Sequence, residues 1–116
     1  MKKSLAVLTA VCGLAAFSSV AEAKPAKCDI TNKYNNARYQ GPCDFRAGKG
    51  NFEVDLPRAT GSKFGTQSYY VEITSQGQGE LYSDWVGRGR QFEDNLIRDQ
   101  QKPACWTGEN WRICVY

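Results

Sequence analysis

Alternation of apolar and polar residues with period two runs through most of the chain beyond residue 27, and it predicts antiparallel strands. The clearest segment is Asn51 to Leu56, where Phe52, Val54 and Leu56 share one face, Glu53 and Asp55 the other, and Pro57 ends the run. Ser68 to Thr74 repeats the pattern, with Tyr69, Val71 and Ile73 opposed to Tyr70 and Glu72. Upstream, Lys24 to Lys27 reads as a short flexible lead, and Cys28 to Thr31 alternates. Asn35-Asn36 can take positive φ in a turn, and Ala37 to Gln40 returns as a strand as far as Gly41-Pro42. Cys43 to Arg46 is a short extended piece before the turn Ala47 to Gly50. Gln76 to Gly79 turns the chain into Glu80 to Ser83. At the end, Ala104 to Thr107 and Trp111 to Tyr116 flank Gly108-Glu109-Asn110 as a hairpin; if Cys105 lies opposite Cys114, Trp106 lies opposite Ile113 on the other face.

The stretch Asp84 to Lys102 reads two ways. Phe92 and Leu96 at i and i+4 suit a short helix, whereas Leu96-Ile97-Arg98 suits a strand. With strands on both sides, one helical turn near 91–97 is the most that is expected. About seven or eight short strands at regular spacing predict an all-β fold, a small antiparallel β-barrel or sandwich.

The first stretch stands apart from this pattern. Lys2 and Lys3 precede an uncharged apolar run from Leu5 to Val20, and Ala21-Glu22-Ala23 is a small-x-small cleavage site. Residues 1–23 are therefore expected to be a signal peptide, and 24–116 a single exported domain, periplasmic or secreted. The apolar run sits at the short end of what spans a bilayer, so no membrane association is expected after cleavage. The processed part carries Cys28, Cys43, Cys105 and Cys114, an even set that in a small exported domain reads as two disulfides. Zinc is the rival use, but the chain has no histidine and no Cys-x-x-Cys pair. Local pairing, Cys28 with Cys43 and Cys105 with Cys114, is favoured because each pair flanks a predicted turn. Cys28 with Cys114 and Cys43 with Cys105 would instead tie the chain ends together, and remains open.

A formal net charge of +3, one unit lower after loss of Lys2, Lys3 and Glu22, gives no dense basic face for nucleic acid. The absence of histidine removes Ser-His-Asp and Cys-His nucleophile systems and the commonest general base. Glu53 with Asp55, or Glu93 with Asp94, could supply a carboxylate pair, but the alternation places Glu53 and Asp55 on a solvated strand face. Glu93, Asp94 and Asp99 lack the ordered spacing of a calcium loop. No catalytic residue, metal or cofactor is expected. Among the aromatics Phe52, Trp106 and one of Tyr69 or Tyr70 belong to the core, while Tyr34, Tyr39, Tyr82 and Trp85 fall on polar faces or loops, as sugar- or protein-binding rings do. Two glycine-flanked loops offer contact groups: Ser62, Lys63 and Phe64 in Thr60 to Gly65, and Arg88 and Arg90 in Gly87 to Arg90.

The segments Cys28-Asp29-Ile30, Tyr39 through Phe45, and Ala104 through Gly108 with Ile113-Cys114 resemble a pattern in small exported four-cysteine β proteins of Gram-negative bacteria, a group without an established activity. In plan the chain is also similar to periplasmic lysozyme inhibitors, which present a serine- and lysine-bearing loop to the acidic cleft of an enzyme. That similarity implies a non-enzymatic binding protein, an inhibitor or immunity protein against a cell-wall hydrolase. Ser62, Lys63, Phe64, Trp85, Arg88 and Arg90 would form its contact surface. The alternative is a carbohydrate- or peptidoglycan-binding module in which Tyr34, Tyr39, Tyr82 and Trp85 form a stacking platform.

Overall fold

The computed structural model describes residues 22–57, 68–85 and 88–116, with Trp85 described by its backbone alone. Its elements are β1 (Lys24–Asn32), β2 (Ala37–Gly48), β3 (Asn51–Asp55), β4 (Ser68–Ser75), β5 (Gln78–Trp85), β6 (Gly89–Arg98), β7 (Cys105–Thr107) and β8 (Trp111–Val115). Each strand pairs antiparallel with its sequence neighbours and β8 closes on β1, giving an eight-strand up-and-down barrel and not a sandwich. Apart from the longer passage from β3 to β4, the connections are short, and a few residues can only fold a strand back beside the one before it. The turn expected at Asn35-Asn36 is present, with Asn36 at a φ of 56°.

An eight-strand barrel is just wide enough for side chains to fill its interior. Phe52, Val54 and Leu56, and Tyr69 with Val71, point inward as their alternation requires, and Ile30, Leu81, Leu96, Trp106 and Ile113 meet them there. Of the two tyrosines weighed for the core, Tyr69 is fully buried and Tyr70 lies on the outer face. Ring pairs span the interior: Phe52 with Trp106 at 6.2 Å and Tyr69 with Trp111 at 5.5 Å between centroids. Both local disulfides form, Cys28–Cys43 and Cys105–Cys114, over sequence separations of 15 and 9. In the terminal hairpin Cys105 lies opposite Cys114 and Trp106 opposite Ile113. Among the described residues no helix is long and apolar enough to cross a membrane.

Several local expectations are revised. Lys24 to Lys27 is not a loose lead but the start of β1, paired from Lys24–Phe45 to Lys27–Pro42. Strand β2 runs straight through Gly41-Pro42. Pro42 is tolerated because β3 pairs only with Asp44 to Gly48, so at Pro42 one side of β2 carries no ladder for the missing N–H to break. The ambiguous stretch contains no helix: 89–98 is strand, and the register slips at one point, with Leu81 opposite Asp94 but Tyr82 opposite Phe92. Glu93 is the extra residue of a β-bulge.

Strand β7 is short and meets β6 only at Ile97 and Arg98. The first half of β6 therefore pairs with β5 on one side and, among the described residues, with no strand on the other. Residues Gly89 to Phe92 are exposed along this seam.

Candidate functional site

Because the strands alternate in direction, the connections segregate to two ends. One end gathers the β1–β2 turn, the passage from β3 to β4, the β5–β6 turn and the β7–β8 turn. These four connections carry Lys33, Arg58, Lys63 and Arg88 against a single carboxylate, Glu109. Two of the turns are tied together, the Lys33 N–H donating to the Asn110 carbonyl at 2.7 Å. Tyr34 stands 85% exposed beside them. Arg88 is exposed just before β6 and makes no ion pair among the described residues. Ser62, Lys63 and Phe64 lie outside the described residues, as does the side chain of Trp85, whose backbone ends β5 opposite Gly89. The chain leaves β3 at Asp55 and re-enters β4 at Ser68 at this same end, so the loop of Lys63 and the turn of Arg88 spring from one rim.

Arg90, the second guanidinium of the predicted contact set, is engaged on the outer wall. Its Nε and Nη2 donate to the two Asp84 carboxylate oxygens at 3.2 and 3.3 Å, and its Cζ lies 3.9 Å from the centroid of the Tyr70 ring. Tyr70 is one of three outward rings in contact: Tyr70–Tyr82 at 6.1 Å and Tyr82–Phe92 at 5.7 Å between centroids. The Tyr70 hydroxyl donates to Glu72 at 2.6 Å and the Tyr82 hydroxyl to Glu80 at 2.8 Å. Each bond to a neighbouring carboxylate, more than any burial, holds its phenol above the usual tyrosine range. The sequence reading missed this cluster, although a signal was there: Tyr70-x-Glu72 and Glu80-x-Tyr82 place ring and carboxylate at the same spacing on strands joined by a tight turn.

Of the four aromatics considered as a sugar platform, the three with described side chains do not share one surface, and the side chain of Trp85 lies outside the described residues. Tyr34 is on a turn, Tyr39 packs against the core and donates its hydroxyl to the Pro42 carbonyl at 2.5 Å, and Tyr82 is on the outer face of β5. The carboxylate pairs are engaged as well. Arg46 bridges Glu53 at 3.3 Å and Asp55 at 2.7 Å. Glu93 accepts the buried Ser83 hydroxyl at 2.5 Å, and Asp94 accepts backbone N–H groups from Asn95, Asn110 and Trp111 at 2.9 to 3.0 Å. Among the described residues no group of three or more Cys, Asp or Glu is arranged to hold a metal ion. A cavity of about 580 Å³ opens at the opposite end, between Gln76, Gln78, Ile97, Arg98 and Pro103, and contains none of the predicted contact residues. Compared with known proteins, the chain matches no family model, no curated protein and no solved structure.

Proposed function

We propose that this chain is an exported, non-enzymatic binding protein, periplasmic or secreted, that blocks a cell-wall hydrolase as an inhibitor or immunity protein. The supporting observation is the rim: an up-and-down barrel stapled by two disulfides has, in the sequence of the connections at one end, Lys33, Arg58, Lys63 and Arg88 with Glu109 as their one acidic residue, while Asp55 and Asp84 lie on the strands below. A rigid scaffold lowers the ordering cost of docking, and cations on its loops are suited to the carboxylates of an acidic cleft. Lys63 and Arg88 supply the charged contacts, Ser62 a hydrogen bond, and Phe64, Trp85 and Tyr34 the rings that anchor such interfaces. Arg90, already held by Asp84, orients the base of the β5–β6 turn.

The test is to mix the processed protein in excess with c-type, g-type and i-type lysozymes and with peptidoglycan amidases and to follow turnover. Inhibition of at least one enzyme is expected, weakening as salt is raised and lost on Lys63→Glu with Arg88→Glu. Unchanged turnover throughout, with tryptophan fluorescence shifts on adding soluble wall fragments, would favour the carbohydrate-binding alternative instead.

A further inference from the structure

The outer wall of β4, β5 and β6 presents a surface separate from the rim. Glu53, Tyr70, Tyr82 and Phe92 lie opposite one another in register across β3 to β6. On the neighbouring rung Glu72 faces Glu80 directly across the β4–β5 pair. Like charges in that position repel, yet among the described residues neither carboxylate has a cation within ion-pair distance. Their partners are the hydroxyls of Tyr70 and Tyr82. On the other side of the rings, Asp84 grips Arg90 and the guanidinium lies over the Tyr70 ring. The wall thus already holds one cation between a ring and a carboxylate, and repeats the same ingredients, with two carboxylates and no cation, around Tyr82 and Phe92. Phe92 is 52% exposed.

We propose that this wall binds an arginine- or lysine-bearing segment of a partner protein, its cation seated against Phe92 and Tyr82 and held by Glu72 and Glu80. Charge complementarity selects the occupant. A cation relieves the Glu72–Glu80 repulsion and finds an exposed aromatic face beside it. A glycan is disfavoured by geometry: the successive rings are inclined by 56° and 76°, which leaves no flat platform, and Arg90 covers Tyr70. This inference is independent of the rim and of what the rim binds.

The experiment titrates the processed protein with a fluorescein-labelled peptide alternating arginine and threonine, read by anisotropy at low salt. Saturable binding is expected, weakened about tenfold or more by Phe92→Ala and by Glu72→Gln with Glu80→Gln. Asp29→Asn, which removes a carboxylate elsewhere on the barrel, is expected to leave affinity unchanged, and an acidic peptide of the same length is expected not to bind. Thermal melts of each variant establish that the barrel is intact. Equal affinity for the Glu72→Gln, Glu80→Gln and parent proteins, absence of saturable binding, or displacement of the peptide by chito-oligosaccharide would overturn the proposal.

Discussion

The carboxylate of Asp94 accepts backbone N–H groups from its own neighbour Asn95 and, across the seam, from Asn110 and Trp111. It anchors the β7–β8 turn to β6 where no ladder joins them, and Gly108 lets it approach: a Cβ there would stand 2.4 Å from both the Asn95 carbonyl oxygen and Asp94 Oδ2. Asp94→Ala strands the buried Trp111 N–H and is expected to cost about 2–4 kcal/mol, read from the midpoint of urea unfolding. Gly108→Ala must push turn and strand apart, at about 1–3 kcal/mol in the same assay. A neutral result for either would remove the anchor from the account. Tyr69 gives the molecule a pH limit. Burial, with a smaller contribution from Glu93, holds its hydroxyl far above the ordinary tyrosine value of 10.0. The folded state keeps that proton while the unfolded chain gives it up, so this contribution is intact below about pH 10 and falls at higher pH by about 1.4 kcal/mol per unit. Melting temperatures measured between pH 8 and 12 are expected to drop beyond pH 10, less steeply in Tyr69→Phe; identical slopes would contradict the assignment.

At the scale of elements, β3 and β4 were legible because Phe52, Val54, Tyr69 and Val71 alternate without interruption and only one register buries them all. Strand β6 was not, for a definite reason. The bulge at Glu93 shifts the alternation by one residue, so that Phe92 faces solvent while Asp94 and Leu96 face inward. An i, i+4 pair of apolar residues then imitates a helix although the two side chains lie on opposite faces of a strand. The start of β1 was also illegible, because Lys24, Pro25 and Lys27 are exposed and make their pairing with β2 through the backbone alone. The disulfides were readable from turns, and their contributions scale with the loops they close. Replacing Cys28 and Cys43 by serine is expected to cost about 3 kcal/mol, and Cys105 with Cys114 about 2.5 kcal/mol, in denaturant unfolding. Equal midpoints for the parent and both variants would show that the barrel does not depend on its staples.

Over the whole molecule a small net charge conceals a division. The rim connections are basic, whereas the outer wall of β2 to β6 displays Asp44, Glu53, Asp55, Glu72, Glu80 and Asp84 against Arg38, Arg46 and Arg90, with Arg38 paired to Asp29 of β1. Summed over the chain these nearly cancel, which is why composition pointed to no charged partner, and only the pairing of β2 to β6 brings distant carboxylates onto one surface. The rim loops, in contrast, could be picked out beforehand as glycine-flanked cations, since their chemistry lies in contiguous residues.

The stretch of β6 that, among the described residues, has a strand on one side only has a consequence of its own. An unpaired strand edge invites continuation by any extended chain, another copy included, even in a barrel that closes elsewhere. One feature stands guard: the bend at Glu93, which spoils a straight template. Deleting Glu93, which would straighten β6, is therefore expected to turn a monodisperse solution into one whose apparent mass climbs with concentration in light scattering.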